Sequence, residues 1–380
     1  MTPIYLDYAA TTPAAAEVAE TMAAFLTKDG CFANPASRSH LAGWQAEQAV
    51  EKARRQVAEL IGADLREIVW TSGATEANNL ALIGAARANP DRGRHLITSA
   101  IEHKAVLDTC TWLEKEGWEI TRLRPDAQGR VTAQQVAEAL RDDTLMVSLM
   151  LVNNELGTVN PIAQVSELLS KHPCLLHVDA AQAAGKLPLD VKALDIDLLS
   201  LSAHKFYGPK GVGALYVRRE PPVRLEALIH GGGHERGMRS GTLPTHQLVG
   251  MGEAARLAQA NLQADAEHVS HCRRLFLQEL NPGYYQQTAD NPDNWPGILN
   301  LAFPGIEAET LILALPELAV STGSACNSAT VDPSYVLTAL GLPRALALSS
   351  VRFSFGRYLS SEQASQAGQL VNQAIERLKP

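Results

Sequence analysis

The sequence predicts an α/β fold: a large domain on a mainly parallel sheet flanked by helices, followed by a smaller α+β domain. Two observations carry this. Apolar runs of strand length alternate with longer amphipathic stretches, the pattern of successive βα units. A long helical pattern rich in Ala, Gln and Glu, from about Leu248 to Leu280, then leads through a turn-rich stretch, Asn281 to Pro296, into shorter elements. With 380 residues, 46% of them hydrophobic, the chain exceeds one average domain and can bury a large core.

Six runs read as strands of the sheet: Glu67 to Thr71, His95 to Ser99, Leu145 to Val152, Leu175 to Val178, Asp197 to Leu201 and Gly213 to Val217. Helical patterns lie among them at Trp44 to Leu60, Thr75 to Ala88, Lys104 to Lys115, Thr132 to Leu140 and Ile162 to Lys171. The smaller domain is expected to hold strands at Ile298 to Phe303 and Val351 to Ser354, with helices at Glu309 to Leu315 and Glu362 to Leu378.

A formal net charge of -8 gives no broad attraction for nucleic acid or an anionic membrane, so neither is expected as a direct partner. No signal-like amino terminus and no membrane-length apolar run appears, so a cytoplasmic protein is expected. The five cysteines, Cys31, Cys110, Cys174, Cys272 and Cys326, are widely spaced without a CxxC pair. That pattern argues for free thiols and against a disulfide framework or a zinc site.

In open parallel sheets, ligands bind beyond the carboxyl ends of the strands, so polar residues that follow apolar runs should converge. Five junctions stand out. In Thr71-Ser-Gly-Ala-Thr-Glu76, Gly73 permits a tight turn and the amides of Ala74 and Thr75 open a helix, a seat for phosphate; Ser72 or Thr75 as a simple helix cap is the alternative. His103 follows a strand at a helix start, where a capping role is equally natural. Val152-Asn-Asn-Glu-Leu-Gly157 ends a strand in amides and a carboxylate. Asp179 ends a buried strand, where a carboxylate is costly without a cationic partner, and Gln182 follows it. Lys205, beside Ser202 and His204, comes directly after an apolar strand, and a desolvated lysine amine is a nucleophile toward aldehydes. Lysine, acid and phosphate seat together are what pyridoxal 5'-phosphate (PLP) requires.

These motifs, with Tyr5-Leu-Asp-Tyr-Ala-Ala-Thr-Thr-Pro13, Glu102-His-Lys104, Ser202-Ala-His-Lys205, Gly231-Gly-Gly-His-Glu-Arg-Gly-Met-Arg-Ser-Gly-Thr242 and Val351-Arg-Phe-Ser-Phe-Gly-Arg357, resemble the cysteine desulfurases of the NifS/IscS group. That group lies in the class V aminotransferase family of fold-type I PLP enzymes, and the resemblance covers nearly the whole chain. It implies the PLP-dependent transferase fold type I, with a seven-stranded sheet in residues 14–258 and a small domain formed by 1–13 and 259–380.

It also implies site roles. Ala74, Thr75, Ser202 and His204 would hold the phosphate, His103 would stack on the cofactor ring, and Gln182 would contact the ring oxygen. Asp179 would pair with the pyridine nitrogen and Lys205 would bear the cofactor. Thr242 would reach the phosphate of another subunit, which implies a homodimer with shared active sites. Asn154 and Arg352 would hold the substrate carboxylate, Arg352 by a two-pronged contact. His230, His234 and Glu235 resemble a metal cluster, but the glycines between them oppose a paired-histidine helix, and no metal site is expected.

The thiol that sets a desulfurase apart would be Cys326, in a small, polar, mobile loop at about 321–334. It lies five positions beyond Ser321, so its reach from there is at most roughly 16 Å. L-Cysteine would lose its sulfur to Cys326 as a persulfide and leave as L-alanine, with Lys205 moving the Cα proton through a PLP ketimine. His103 or the substrate would help ionise the thiol. Another class V PLP enzyme, an aminotransferase or selenocysteine lyase, would share all but the role of Cys326; a non-catalytic sulfur-relay scaffold would not need Lys205. Housekeeping members carry a C-terminal extension for an iron-sulfur scaffold, whereas this sequence stops at Pro380. The sulfur-acceptor protein therefore stays open among iron-sulfur assembly, tRNA or cofactor thiolation, and DNA phosphorothioation.

Overall fold

The computed structural model describes residues 3–322 and 332–379. Strand β1 (Ile4–Tyr5) precedes seven strands that form one sheet: β2 (Ile68–Thr71), β3 (His95–Ser99), β4 (Glu119–Leu123), β5 (Thr144–Met150), β6 (Leu175–Asp179), β7 (Leu198–Ser202) and β8 (Gly213–Val217). Their spatial order is β2-β8-β7-β6-β5-β3-β4, and only β8 runs antiparallel to its neighbours. Helices cover both faces, which is why β3, β5, β6, β7 and β8 are buried at every position and read as nearly continuous apolar runs. The strand missing from the sequence reading is β4. It lies at the sheet edge, is exposed or half-buried throughout, and carries Glu119 and Arg122, charges suited to an edge and misleading as strand signals.

Four further strands follow: β9 (Gln286–Gln287), β10 (Ile298–Ala302), β11 (Leu318–Ala319) and β12 (Ser350–Ser354). β10 pairs antiparallel with β9 and β12, and β1 pairs parallel with β11. Asp7 bridges to Ser354, so the first residues of the chain are woven into its last strands. The helix Thr245–Glu279 ties these parts together. Its first half buries Leu248, Met251, Ala254 and Ala255, its second half Val269, Cys272 and Phe276, and it packs on the helices Leu41–Leu60 and Ser361–Leu378. Short helices at Ala16–Ala23, Tyr335–Ala339 and Arg344–Leu348 have too few turns to show a clear apolar period in the sequence.

Beneath the carboxyl edge of the sheet, His177 of β6 bridges two neighbouring strands. Its Nδ1 lies 2.8 Å from the Ser148 hydroxyl of β5 and its Nε2 3.0 Å from that of Ser200 on β7. Burial lowers its pKa from 6.5 to about 4, against a smaller upward pull from Asp179. A histidine depressed in the folded state takes up its proton more readily when unfolded, so this stability is fully present above pH 6.5 and is lost as pH falls toward 4. The loss from this one group is expected to be roughly 3 kcal/mol. Denaturation of the His177→Gln variant across that range should show a shallower fall in stability than the parent.

Candidate active site

The carboxyl ends of β2, β3, β5, β6 and β7 lie along one edge of the sheet. There a cavity of about 490 Å³ is lined by Ala74, Thr75, His103, Asn154, Asp179, Gln182, Ser202, His204, Lys205 and Arg352. Ten of the twelve residues expected at a site from the sequence thus share one space. Thr242 is exposed and does not line this cavity, and Cys326 lies outside the described residues.

At one end of the cavity the helix Ala74–Ala88 begins with Gly73 as its N-cap (φ 153°), and no side chain caps it. The simple capping alternative for Ser72 and Thr75 is therefore not realised. The backbone passes very close to β8 here: a Cβ on Gly213 would sit 2.6 Å from the Gly73 Cα and 2.4 Å from the Leu201 oxygen, so only glycine fits. The Ser72 amide donates to Glu76, whose carboxylate also accepts from Arg239. Burial works to raise the Glu76 pKa, but the bonds from Arg239 and Ser72 outweigh it and hold the carboxylate low. Uncapped amides, the Ser202 hydroxyl and His204 leave this end suited to an oxyanion.

The opposite requirement is met at Asp179, which is only 4% exposed. Its Oδ2 accepts from the Asn78 amide at 2.7 Å and its Oδ1 from the Ala181 N–H at 2.9 Å. Both donors are neutral, so they orient the carboxylate without cancelling its charge. His103 is both a cap and a cavity residue: it N-caps Lys104–Lys115, with Nδ1 accepting from the Ala105 amide at 3.1 Å. Burial, assisted by Lys205, lowers its pKa against opposing pulls from Asp179 and Asp108. The ring is thus favoured neutral, and because Nδ1 accepts, the hydrogen sits on Nε2.

Lys205 lies between these ends. Its Nζ donates to the carbonyl oxygens of Ala9 and Ala10 at 2.7 and 2.8 Å. The same Ala9 oxygen accepts from Gln182 Nε2 at 2.7 Å. Next to Lys205, the His204 carbonyl accepts from the Thr12 amide and hydroxyl, and its ring Nδ1 lies 3.1 Å from the Thr11 hydroxyl. The His204 pKa falls to about 4, through burial first and then the lysines at 205, 210 and 186.

Arg352 departs from the expected free fork. Its Nη1 donates to the Asn154 backbone oxygen at 2.9 Å and its Nη2 to Asp7 Oδ1 at 2.8 Å, while the buried Nε has no partner among the described residues. Asp7 fixes the guanidinium, and a ligand must use the N–H bonds that remain. Asn154 Oδ1 is likewise buried and has no partner among the described residues. The chain on either side of 323–331 is fastened to the same place. Ser321 bridges to Arg352, and Ser334 donates to the buried Glu155 at 2.6 Å, next to Asn154.

Asn78, Asp7, Ala9 and Thr12 escaped the sequence reading as site residues. Asn78 offered one signal, a polar residue on a largely apolar helix face three positions after Thr75; Asp7 to Thr12 offered only a motif whose contacts are about two hundred residues away or, for Asp7, 345. Glu235, a neighbour of His230 and His234 in the sequence, is committed elsewhere in the structure. Its carboxylate accepts from both terminal nitrogens of Arg54 and from the Trp70 amide, wholly inside the protein.

An uncapped helix start and hydroxyl at one end, a buried carboxylate at the other and an amine between them complement an aromatic phosphate ester with a basic ring nitrogen and an aldehyde. Residues 4–366 match the family model described as aminotransferase class-V. A relative named cysteine desulfurase IscS, from Aeromonas salmonicida (strain A449), is 57% identical over 99% of this chain and 94% of its own. Among solved structures, one titled "NIFS-LIKE PROTEIN" superposes with a TM-score of 0.92 at 34% identity, covering 99% of this chain and 100% of that one. Another, titled "SspA in complex with cysteine", has a TM-score of 0.82 at 41% identity over 94% and 99% of the two chains.

Loss of the Asn78 amide would leave a buried Asp179 oxygen without its donor, a loss of about 1–2 kcal/mol. Fluorescence titration of apo-protein with pyridoxal 5'-phosphate is therefore expected to show roughly tenfold weaker binding for Asn78→Ala. Asn78→Asp, which sets a second carboxylate beside the first, should bind weaker still.

Proposed function

The chain belongs to the aminotransferase class-V family, and from that premise we infer a pyridoxal-phosphate-dependent cysteine desulfurase that converts L-cysteine to L-alanine and passes the sulfur to an acceptor. The observation that carries this reading is the meeting of Lys205, Asp179 and the uncapped start of Ala74–Ala88 in one cavity. When bound, pyridoxal 5'-phosphate supplies an electron sink for charge developing at the substrate Cα. Lys205 would carry it, with its phosphate on Ala74, Thr75, Ser202 and His204, its ring nitrogen on Asp179 and its ring oxygen on Gln182. His103 would lie over the ring.

In this reading the Lys205 amine takes the Cα proton of L-cysteine. Asn154 and Arg352 hold the substrate carboxylate, Arg352 through N–H bonds not already committed to Asp7 and the Asn154 backbone. The Cys326 thiolate takes the sulfur: the carbon–sulfur bond breaks, a sulfur–sulfur bond forms, and the carbon gains a proton to give alanine. His103, neutral with hydrogen on Nε2, suits a donor toward the ligand more than a base for the thiol. The substrate's own groups would then accept the thiol proton.

Assembly as a homodimer with shared sites draws support from Thr242. It stands exposed in a segment pinned by the Arg54–Glu235 and Arg239–Glu76 pairs, a rigid presentation toward a second copy. The exposed apolar side chains of Phe32, Leu41, Trp44 and Ile229 suit burial in such a contact. Among the described residues no helix is long and apolar enough to cross a membrane. The acceptor would be a protein able to meet the persulfide.

The test is incubation with L-cysteine and a dithiol reductant, which releases the persulfide sulfur as sulfide while it is oxidised to its disulfide. Alanine and sulfide are expected as products; pyruvate would point to another class V chemistry. Lys205→Ala should abolish both the visible absorbance and turnover. Cys326→Ala should keep the absorbance and the spectral response to cysteine while sulfide release falls at least about a hundredfold; wild-type sulfide production would overturn its role. Arg352→Ala is expected to raise KM for cysteine about tenfold to a hundredfold, the range for one charged hydrogen bond to a carboxylate.

A further inference from the structure

One amine beside the cavity has no role in the chemistry above. Lys186 is partly buried, and its Nζ donates at 2.7 Å to Gln182 Oε1. The Gln182 amide nitrogen in turn donates to the Ala9 oxygen, which also accepts from Lys205 Nζ. This orientation of Gln182 is set by chemistry: an ammonium has no acceptor and a carbonyl has no donor, so oxygen must face Lys186 and nitrogen must face Ala9. The two amines therefore stand at opposite ends of one short hydrogen-bonded chain. Among the described residues the Lys186 partner is this neutral carboxamide, and no ion pair includes it.

We propose that Lys186 is a positioning residue: seated by Gln182, it places a second cation behind the nitrogen of Lys205. The proposal rests on the reading that Lys205 carries the cofactor. Its consequence is that the nitrogen of Lys205 holds a proton less tightly than it would with a neutral neighbour, because like charges penalise each other reciprocally.

The surroundings leave this charge poorly compensated. Burial first, then Lys205 and Arg352, bring the Lys186 pKa down to about 7. His204 feels the same charge in the same sense. In the enclosed space beside Lys186, the Tyr8 and Tyr207 phenols are pushed upward by burial and stay neutral, and Asp265 is taken by Arg357 through both oxygens. On the open side stand Arg273, a further cation, and Asp290, which is exposed to solvent.

Visible absorbance of the holoenzyme, titrated upward from mildly acidic pH, where Lys186 is charged, reads the proton at the Lys205 nitrogen directly. Lys186→Met and Lys186→Gln are expected to raise the midpoint by roughly 0.5–1 unit, a three- to tenfold gain in proton affinity, whereas Lys186→Arg keeps the parent midpoint. Movement of less than about 0.2 unit in both neutral variants, or an equal rise in Lys186→Arg, overturns the proposal. Should Lys186→Met fail to fold, the Gln and Arg variants decide between these outcomes. If the parent itself has no visible band that Lys205→Ala removes, the reading of Lys205 fails rather than that of Lys186.

Discussion

The site depends on the docking of residues 7 to 12 across the carboxyl edge of the sheet. Asp7 holds Arg352, the Ala9 and Ala10 oxygens hold Lys205, Ala9 also holds Gln182, and Thr11 and Thr12 hold the ring and backbone of His204. No strand of the seven-stranded sheet makes these contacts. A turn and loop outside the helices and sheets leaves many of its carbonyls unpaired, and a buried carbonyl needs a donor. Here the donors are the functional side chains themselves, so the segment completes its own hydrogen bonding and fixes the site by the same contacts.

That dependence explains what could and could not be read in the sequence. Five junctions at strand ends were legible because the parallel sheet converts a one-dimensional pattern, an apolar run followed by a polar residue, into convergence in space. Lys205, Asp179, His103 and the turn at Gly73 all follow that rule. Asp7 and Ala9 do not, since their partners lie at Arg352, Gln182 and Lys205 and their own neighbours form no periodic element. The fold was legible for the same reason and with the same blind spot. Buried strands announced themselves by composition, whereas β4 wears the charges of an edge and the two-residue strands β1, β9 and β11 have no period to detect.

Histidine placement shows how the bland and functional readings of a residue can both hold. His103 caps a helix, as an isolated histidine at that point often does. The cap is also what gives it a chemical character, because the bond from the Ala105 amide to Nδ1 leaves hydrogen on Nε2. His177, with both nitrogens on serine hydroxyls, holds adjacent strands together beneath Asp179.

The charges in and around the cavity then sort by compensation. Carboxylates there are handed neutral donors or fixed cations: Asn78 and Ala181 for Asp179, Arg352 for Asp7, Ser334 for Glu155. Amines are handed carbonyls: Ala9 and Ala10 for Lys205, Gln182 for Lys186. Neutral dipoles orient a charge and leave its field largely intact, whereas an ion pair would cancel it. An acid and an amine kept in that condition can still act on a ligand that brings a basic nitrogen and an electrophilic carbon, which is the reason to build the pocket from carbonyls and amides. Arg54 and Glu235, outside the cavity, are by contrast fully paired with each other and serve only to hold the chain in place.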